Sequence, residues 1–285
     1  MGAWGTSLYS NDSACDIRGD YVDKLKRGKT NEEATQELIC ENRDIMGDVE
    51  EEPLFWFALS DTQWNYGRLL PEVKEKALYF LSRDDELQRW KESGKKQSLA
   101  WEKTLEELNK KLNSPQPPEK KVSKYRFYQC KWKLGDVFAY RFSGSYSMEK
   151  GFLGQYVIFR KISEDTWWPG HIIPVVWFYK WIGNDIPSVD KLTELGLLPA
   201  FCSPSVIAKF PHKKINYEIK LISESEKVIP TDNLTFLGNL PGDDLIPFRG
   251  HDYWTNYGPV GWESSKYNEK FEHYVIDMYL AWRDV

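Results

Sequence analysis

The stretch Ser114-Pro115-Gln116-Pro117-Pro118-Glu119-Lys120-Lys121-Val122-Ser123-Lys124 divides the chain. Its three prolines fix φ and withhold amide donors, and its lysines come without a single aromatic ring, so it reads as a stiff, extended connector. Upstream of it apolar residues recur every three or four positions. Downstream they alternate every two. This change of period predicts an α+β chain with an N-terminal all-helical domain over 1–113, a Pro/Lys-rich linker over 114–124, and a β-rich domain over 125–285 that ends in a helix.

On the helical side, Asn11-Asp12 offers an N-cap, and Ala14, Ile17, Tyr21 and Leu25 form a stripe that runs to the stop at Gly28. Thr30-Asn31-Glu32-Glu33 has capping-box spacing, with Ala34, Leu38 and Ile45 following and Gly47 as the stop. Pro53 precedes Leu54-Phe55-Trp56-Phe57-Ala58-Leu59, a run apolar nearly all round, which predicts the central helix of the layer. Pro71 opens another helix with Val73, Ala77, Leu78 and Leu81 on its face. Leu87 and Trp90, then Leu99 to Leu112, mark one or two more.

On the β side, Tyr125–Cys130 alternates, and 137–142, 156–162 and 172–181 are strongly β-favouring. Glu164-Asp165 reads as a hairpin tip, Gly144 to Gly151 as a Ser/Gly loop, and Ser188 to Leu195 as a short helix. Residues 205–210, 215–222 and 234–237 read as further strands, Gly238 to Gly261 as irregular, and Phe271 to Trp282 as the last helix. Short strands with an aromatic filling predict a strongly bent sheet or a small barrel.

Composition separates the two parts again. The chain holds 13 Trp, 16 Tyr and 14 Phe, and residues 1–113 contain only 12 of these rings. Those same residues hold 17 Lys and Arg against 23 Asp and Glu, in a chain of net charge −5. The rings belong to the β-rich part and the acidity to the helical part. An acidic chain is poorly equipped to neutralise phosphates, so direct nucleic-acid binding is not expected, and the clusters Lys120, Lys121, Lys124 and Lys209, Lys213, Lys214 read as solvated loops. No uninterrupted apolar run approaches the ~18 residues of a membrane span, and no basic-then-apolar leader is visible, so a cytoplasmic location is expected. Cys15, Cys40, Cys130 and Cys202 form no C-x-x-C pair, and the four histidines are scattered. Reduced thiols and no metal or cofactor are expected.

No nucleophile elbow, phosphate loop, dinucleotide fingerprint or H-E-x-x-H is present, so no catalytic residue is assigned. Asp243-Asp244 reads as turn chemistry and Glu50-Glu51-Glu52 as acids suited to a helix start. Trp177, Phe178, Tyr179 and Trp181 must alternate between two faces of a strand, and both faces are expected to be covered. Two clusters join rings to a histidine: Trp167-Trp168-Pro169-Gly170-His171 and His251-Asp252-Tyr253-Trp254. From them Trp167, Trp168, His171, Tyr253 and Trp254 are taken as candidate binding residues, because Trp and Tyr anchor interfaces and a histidine beside them can orient a ligand.

The opening Met1-Gly2-Ala3-Trp4-Gly5-Thr6-Ser7-Leu8-Tyr9-Ser10-Asn11-Asp12, with Ala14 and Asp16 following, resembles a group of bacterial proteins of unknown function that begin M-G-A-W-G and continue N-D-x-A-x-D. The likeness covers about the first fifth of the chain. Its signature residues Trp4, Gly5, Asn11, Asp12 and Asp16 are read as structural. Lys131-Trp132-Lys133-Leu134-Gly135-Asp136-Val137-Phe138 is similar to the K-x-G-D-V-F start of a bacterial toxin-immunity family with a small β-rich domain, from which the long Gly144–Gly154 insertion departs. This second resemblance implies immunity or phage defence. The expectation is a bacterial cytosolic protein-binding protein, an immunity-type inhibitor that occludes its partner, with a basic toxin or nuclease as the partner an acidic surface would steer. The alternative is a small-molecule sensor with an aromatic-lined pocket beside Trp167, Trp168 and His171.

Overall fold

A computed structural model describes residues 5–83, 94–200, 217–240, 260–261 and 267–283. The chain is α+β and divides into two compact units, Met1–Tyr125 and Arg126–Val285.

The first unit contains α1 (Asp12–Lys26), α2 (Asn31–Glu41), α3 (Glu51–Asn65), α4 (Pro71–Leu81) and α5 (Lys95–Leu112) among the described residues. The Asn11 side chain caps α1 by accepting from the amides of Ser13 and Ala14, and Ala14, Ile17, Tyr21 and Leu25 are its buried face. At Thr30 both reciprocal bonds of the capping box form. Every residue of α3 from Pro53 to Gln63 is buried, as an all-round apolar helix must be. Its polar members are hydrogen-bonded. The Gln63 side chain donates to Thr35 Oγ1 at 2.7 Å and accepts from the Leu70 amide at 3.0 Å. Leu87 and Trp90 lie outside the described residues.

The Pro/Lys-rich stretch folds with this unit. The Lys120 amide donates to the Tyr66 carbonyl and the Tyr125 amide to that of Lys26, both at 2.9 Å, and Arg68 pairs with Glu119 at 2.6 Å. Gly67, in the turn after α3, has φ +67, and a Cβ there would lie 2.4 Å from the Pro117 carbonyl oxygen. Only glycine lets the extended segment approach this closely.

The second unit is a seven-stranded sheet of β1 (Asp136–Arg141), β2 (Tyr156–Trp167), β3 (His171–Gly183), β4 (Leu197–Leu198), β5 (Ile219–Ile222), β6 (Leu234–Asn239) and β7 (Val260–Gly261). The order is β6-β1-β2-β3-β5-β7, with β4 beside the far end of β3. Neighbours are antiparallel except β5 and β7. The sheet is open, so the barrel does not form. Register shifts in β1–β6 and twice in β2–β3 supply local bending.

One face of the sheet packs against α7 (Tyr267–Trp282), with α6 (Ser145–Glu149) beside it. Phe271 lies edge-on to Tyr140 at 4.6 Å and meets Phe178, which continues to Phe159 and Phe138. On the other face Val137, Ala139, Ile158 and Tyr179 pack with Leu192. Trp177, Phe178 and Tyr179 are all buried, on alternating faces. Within this apolar layer Glu272 of α7 has 0 % exposure. Its carboxylate accepts from the Tyr140 hydroxyl and from the amides of Ser143 and Gly144, each at 2.8 Å. Tyr146 adds a hydroxyl bond to Asp277 at 2.5 Å and stacks on His273. That hydrogen bond to a carboxylate, helped by burial, pushes the Tyr146 phenol up to about 12.

Three sequence expectations change. Glu164 and Asp165 are not a hairpin tip: they pair with Pro174 and Ile173 inside the β2–β3 ladder, and the turn is Trp168-Pro169-Gly170. The acids stay in the strand because Lys161 bonds Glu164 at 2.6 Å and Lys220 pairs with Asp165. The Ser/Gly loop contains α6, which Glu272 and Asp277 tie to α7. The Tyr125–Cys130 stretch forms no full strand but a single parallel bridge, Gln129 to Ile172. The strand expected at 205–210 lies outside the described residues.

Replacing Gly67 by Ala tests the packing of the Pro/Lys-rich stretch. The variant is expected to lose about 2 kcal/mol or more in urea unfolding, with faster proteolysis across 114–124. Unchanged stability would contradict the close approach at Pro117.

Candidate functional site

The candidate site is the turn that ends the β2–β3 hairpin. Trp167 pairs with His171 and Thr166 with Ile172, so the strands stay in register up to the turn. The Trp168–Pro169 peptide is cis, and the Gly170 amide donates to the Trp167 carbonyl at 2.7 Å. Gly170 has φ +148, and a Cβ there would stand 3.0 Å from Phe127, whose ring lies over it. Two large rings therefore flank one turn and face solvent: Trp168 is 69 % exposed and Phe127 is 53 % exposed. Trp167 is half-buried.

His171 has a different role. It is 6 % exposed, and its Nδ1 accepts from the Tyr128 amide at 2.9 Å. The same segment bonds twice more, Ile172 N to Tyr128 O at 2.8 Å and Cys130 N to Ile172 O at 2.9 Å. His171 thus holds residues 127–130 against the root of the turn and so sets the position of Phe127. With Nδ1 engaged, its imidazole is a positioning group for the aromatic tip.

Further down the same ladder lies a group that sequence reasoning missed. Lys161 is fully buried, and its ammonium donates to the Trp132 carbonyl at 2.5 Å and to Glu164 at 2.6 Å. The signal was present as a lysine inside the β-favouring run Tyr156–Ile162, where a buried charge requires a partner. Burial pushes the nearby Cys130 thiol up, despite the opposing pull of Lys161, which suits a packing residue more than a nucleophile.

The remaining candidates fall elsewhere. Tyr253 and Trp254 lie outside the described residues, as does Trp4. Gly5 sits against Ser10, whose Oγ would be 2.9 Å from a Cβ at position 5. Asn11 caps α1, Asp12 occupies its first turn, and Asp16 is exposed on the same helix. Tyr9 of the opening motif donates to Asp61 at 2.8 Å, and Asp61 also accepts from Lys111 at 2.5 Å and Asn65 at 2.8 Å. Burial and the Asp61 charge hold the Tyr9 phenol far above its ordinary range, so it is a neutral donor. The Arg18 guanidinium lies 4.3 Å from the centre of the Tyr9 ring.

Among the described residues, two surface grooves lie in the helical unit. One of about 390 Å³ lies between Val49, Glu52, Lys76 and Tyr79, and one of about 480 Å³ between Lys29, Asn31, Arg68 and Lys124. Among the described residues no group of His, Cys, Asp and Glu could hold a metal ion, and no helix is long and apolar enough to cross a membrane.

These roles separate under mutation. His171→Ala is expected to cost about 2 kcal/mol, through a buried amide left without its acceptor, whereas Trp168→Ser stays within about 0.5 kcal/mol of wild type. Urea unfolding of both variants measures this, and the opposite order would contradict the assignment. No family model matches the chain, and neither a curated protein nor a solved structure matches it.

Proposed function

We propose that this chain is a bacterial cytosolic protein-binding protein of the immunity type, which occludes a partner protein through the aromatic tip of its β2–β3 hairpin. The observation that carries the reading is the pairing of exposed Trp168 and Phe127 on a turn whose root is fixed by His171. Exposed rings on a rigid support are the usual anchors of an interface, because their burial gains much area for little lost side-chain freedom. The acidic helical part favours a basic partner, a toxin or nuclease, by speeding its approach. The sensor alternative has less support, since the Nδ1 of His171 is engaged by the Tyr128 amide.

The test is affinity capture from the source organism with wild-type protein and with Trp168→Ser, quantified by mass spectrometry. A basic protein captured by wild type is expected to fall about 30-fold with the variant, the equivalent of losing one ~2 kcal/mol anchor. Its capture is also expected to weaken as salt rises. Identical capture profiles for both proteins would overturn the reading.

A further inference from the structure

We propose that β6 is a docking edge for a second copy of this chain, the two β6 strands pairing antiparallel about a two-fold axis so that the two sheets run on into one. This goes beyond the hairpin tip and does not depend on it. β6 pairs with β1 alone, and its outer edge carries no hydrogen bond among the described residues. An open edge of backbone donors and acceptors is a template for another strand, and natural proteins usually guard it with lysine, proline or a bulge. The strand Leu234-Thr235-Phe236-Leu237-Gly238-Asn239 contains neither a charge nor a proline. Its one irregularity, the register shift that leaves Leu237 without a β1 partner, lies beyond Phe236 and leaves Leu234–Phe236 regular.

This regular stretch is complementary to itself. With the axis at Thr235, the cross-strand pairs are Thr235 with Thr235 and Leu234 with Phe236, taken twice. All are favourable pairs on a sheet surface, and none brings like charges together. Phe236 supplies the apolar contact. It is 58 % exposed, although its ring meets Phe138 at 5.5 Å and so forms the open end of the aromatic ladder that begins at Phe271. Pairing with a second copy would close that end.

Sedimentation velocity of the full chain, from about 1 µM to about 300 µM, tests this. Wild type is expected to shift with concentration from the 33.5 kDa chain toward twice that mass. Thr235→Lys and Thr235→Glu each place two like charges on the axis and are expected to weaken association at least tenfold. An equimolar mixture of the two variants is expected to recover the dimer at low salt, which also shows that both are folded. Wild type remaining monomeric at the highest concentration would overturn the proposal, as would variants that associate like wild type or a mixture that fails to recover the dimer.

Discussion

A single carboxylate organises the β unit. Glu272 lies in the apolar layer between the sheet and the C-terminal helix, where an ion without partners is prohibitively costly. The cost is offset by three donors aimed at it, the Tyr140 hydroxyl and the amides of Ser143 and Gly144. Charge-assisted bonds of this kind contribute roughly 1.5–3 kcal/mol each. They join the end of β1, the segment that leads into α6, and α7. With that helix fixed, Phe271 reaches Tyr140 and Phe178, and the aromatic ladder across the sheet follows. Tyr146 with Asp277 and His273 completes the same junction from the exposed side.

The helical unit reaches the same end by different means. Its central helix α3 carries Asp61 and Gln63, and each polar atom given by those side chains is used to tie separate segments together. Tyr9, Lys111 and Asn65 converge on Asp61, so the opening motif is bound to α3 and α5 by one acceptor. Its acidity stays largely at the surface. Among the described residues many rings of the second unit are buried in its core, while Trp168, Phe127 and Phe236 are exposed.

What could be read from sequence was what depends on near neighbours. The α1 stripe and its Asn11 cap, the Thr30 capping box and the all-round burial of α3 are settled within one or two turns of chain, and each stands at the residues expected. Long-range pairing was not legible. Glu164-Asp165 resembles a turn until Lys161 and Lys220 are beside it. The Ser/Gly stretch resembles a loop until Glu272, 128 residues after Gly144, accepts its amide. At the candidate site the rings and the histidine were recognisable as a cluster. Their division of labour was not, because the group that occupies His171 is the amide of Tyr128, 43 residues away.

The dependence of the β unit on Glu272 is best tested by hydrogen exchange of a Glu272→Ala variant against wild type. The account predicts that protection collapses across 140–149 and α7, with the unit losing about 3 kcal/mol or more, because buried amides and a hydroxyl are left without an acceptor. Protection of those segments equal to wild type would contradict it.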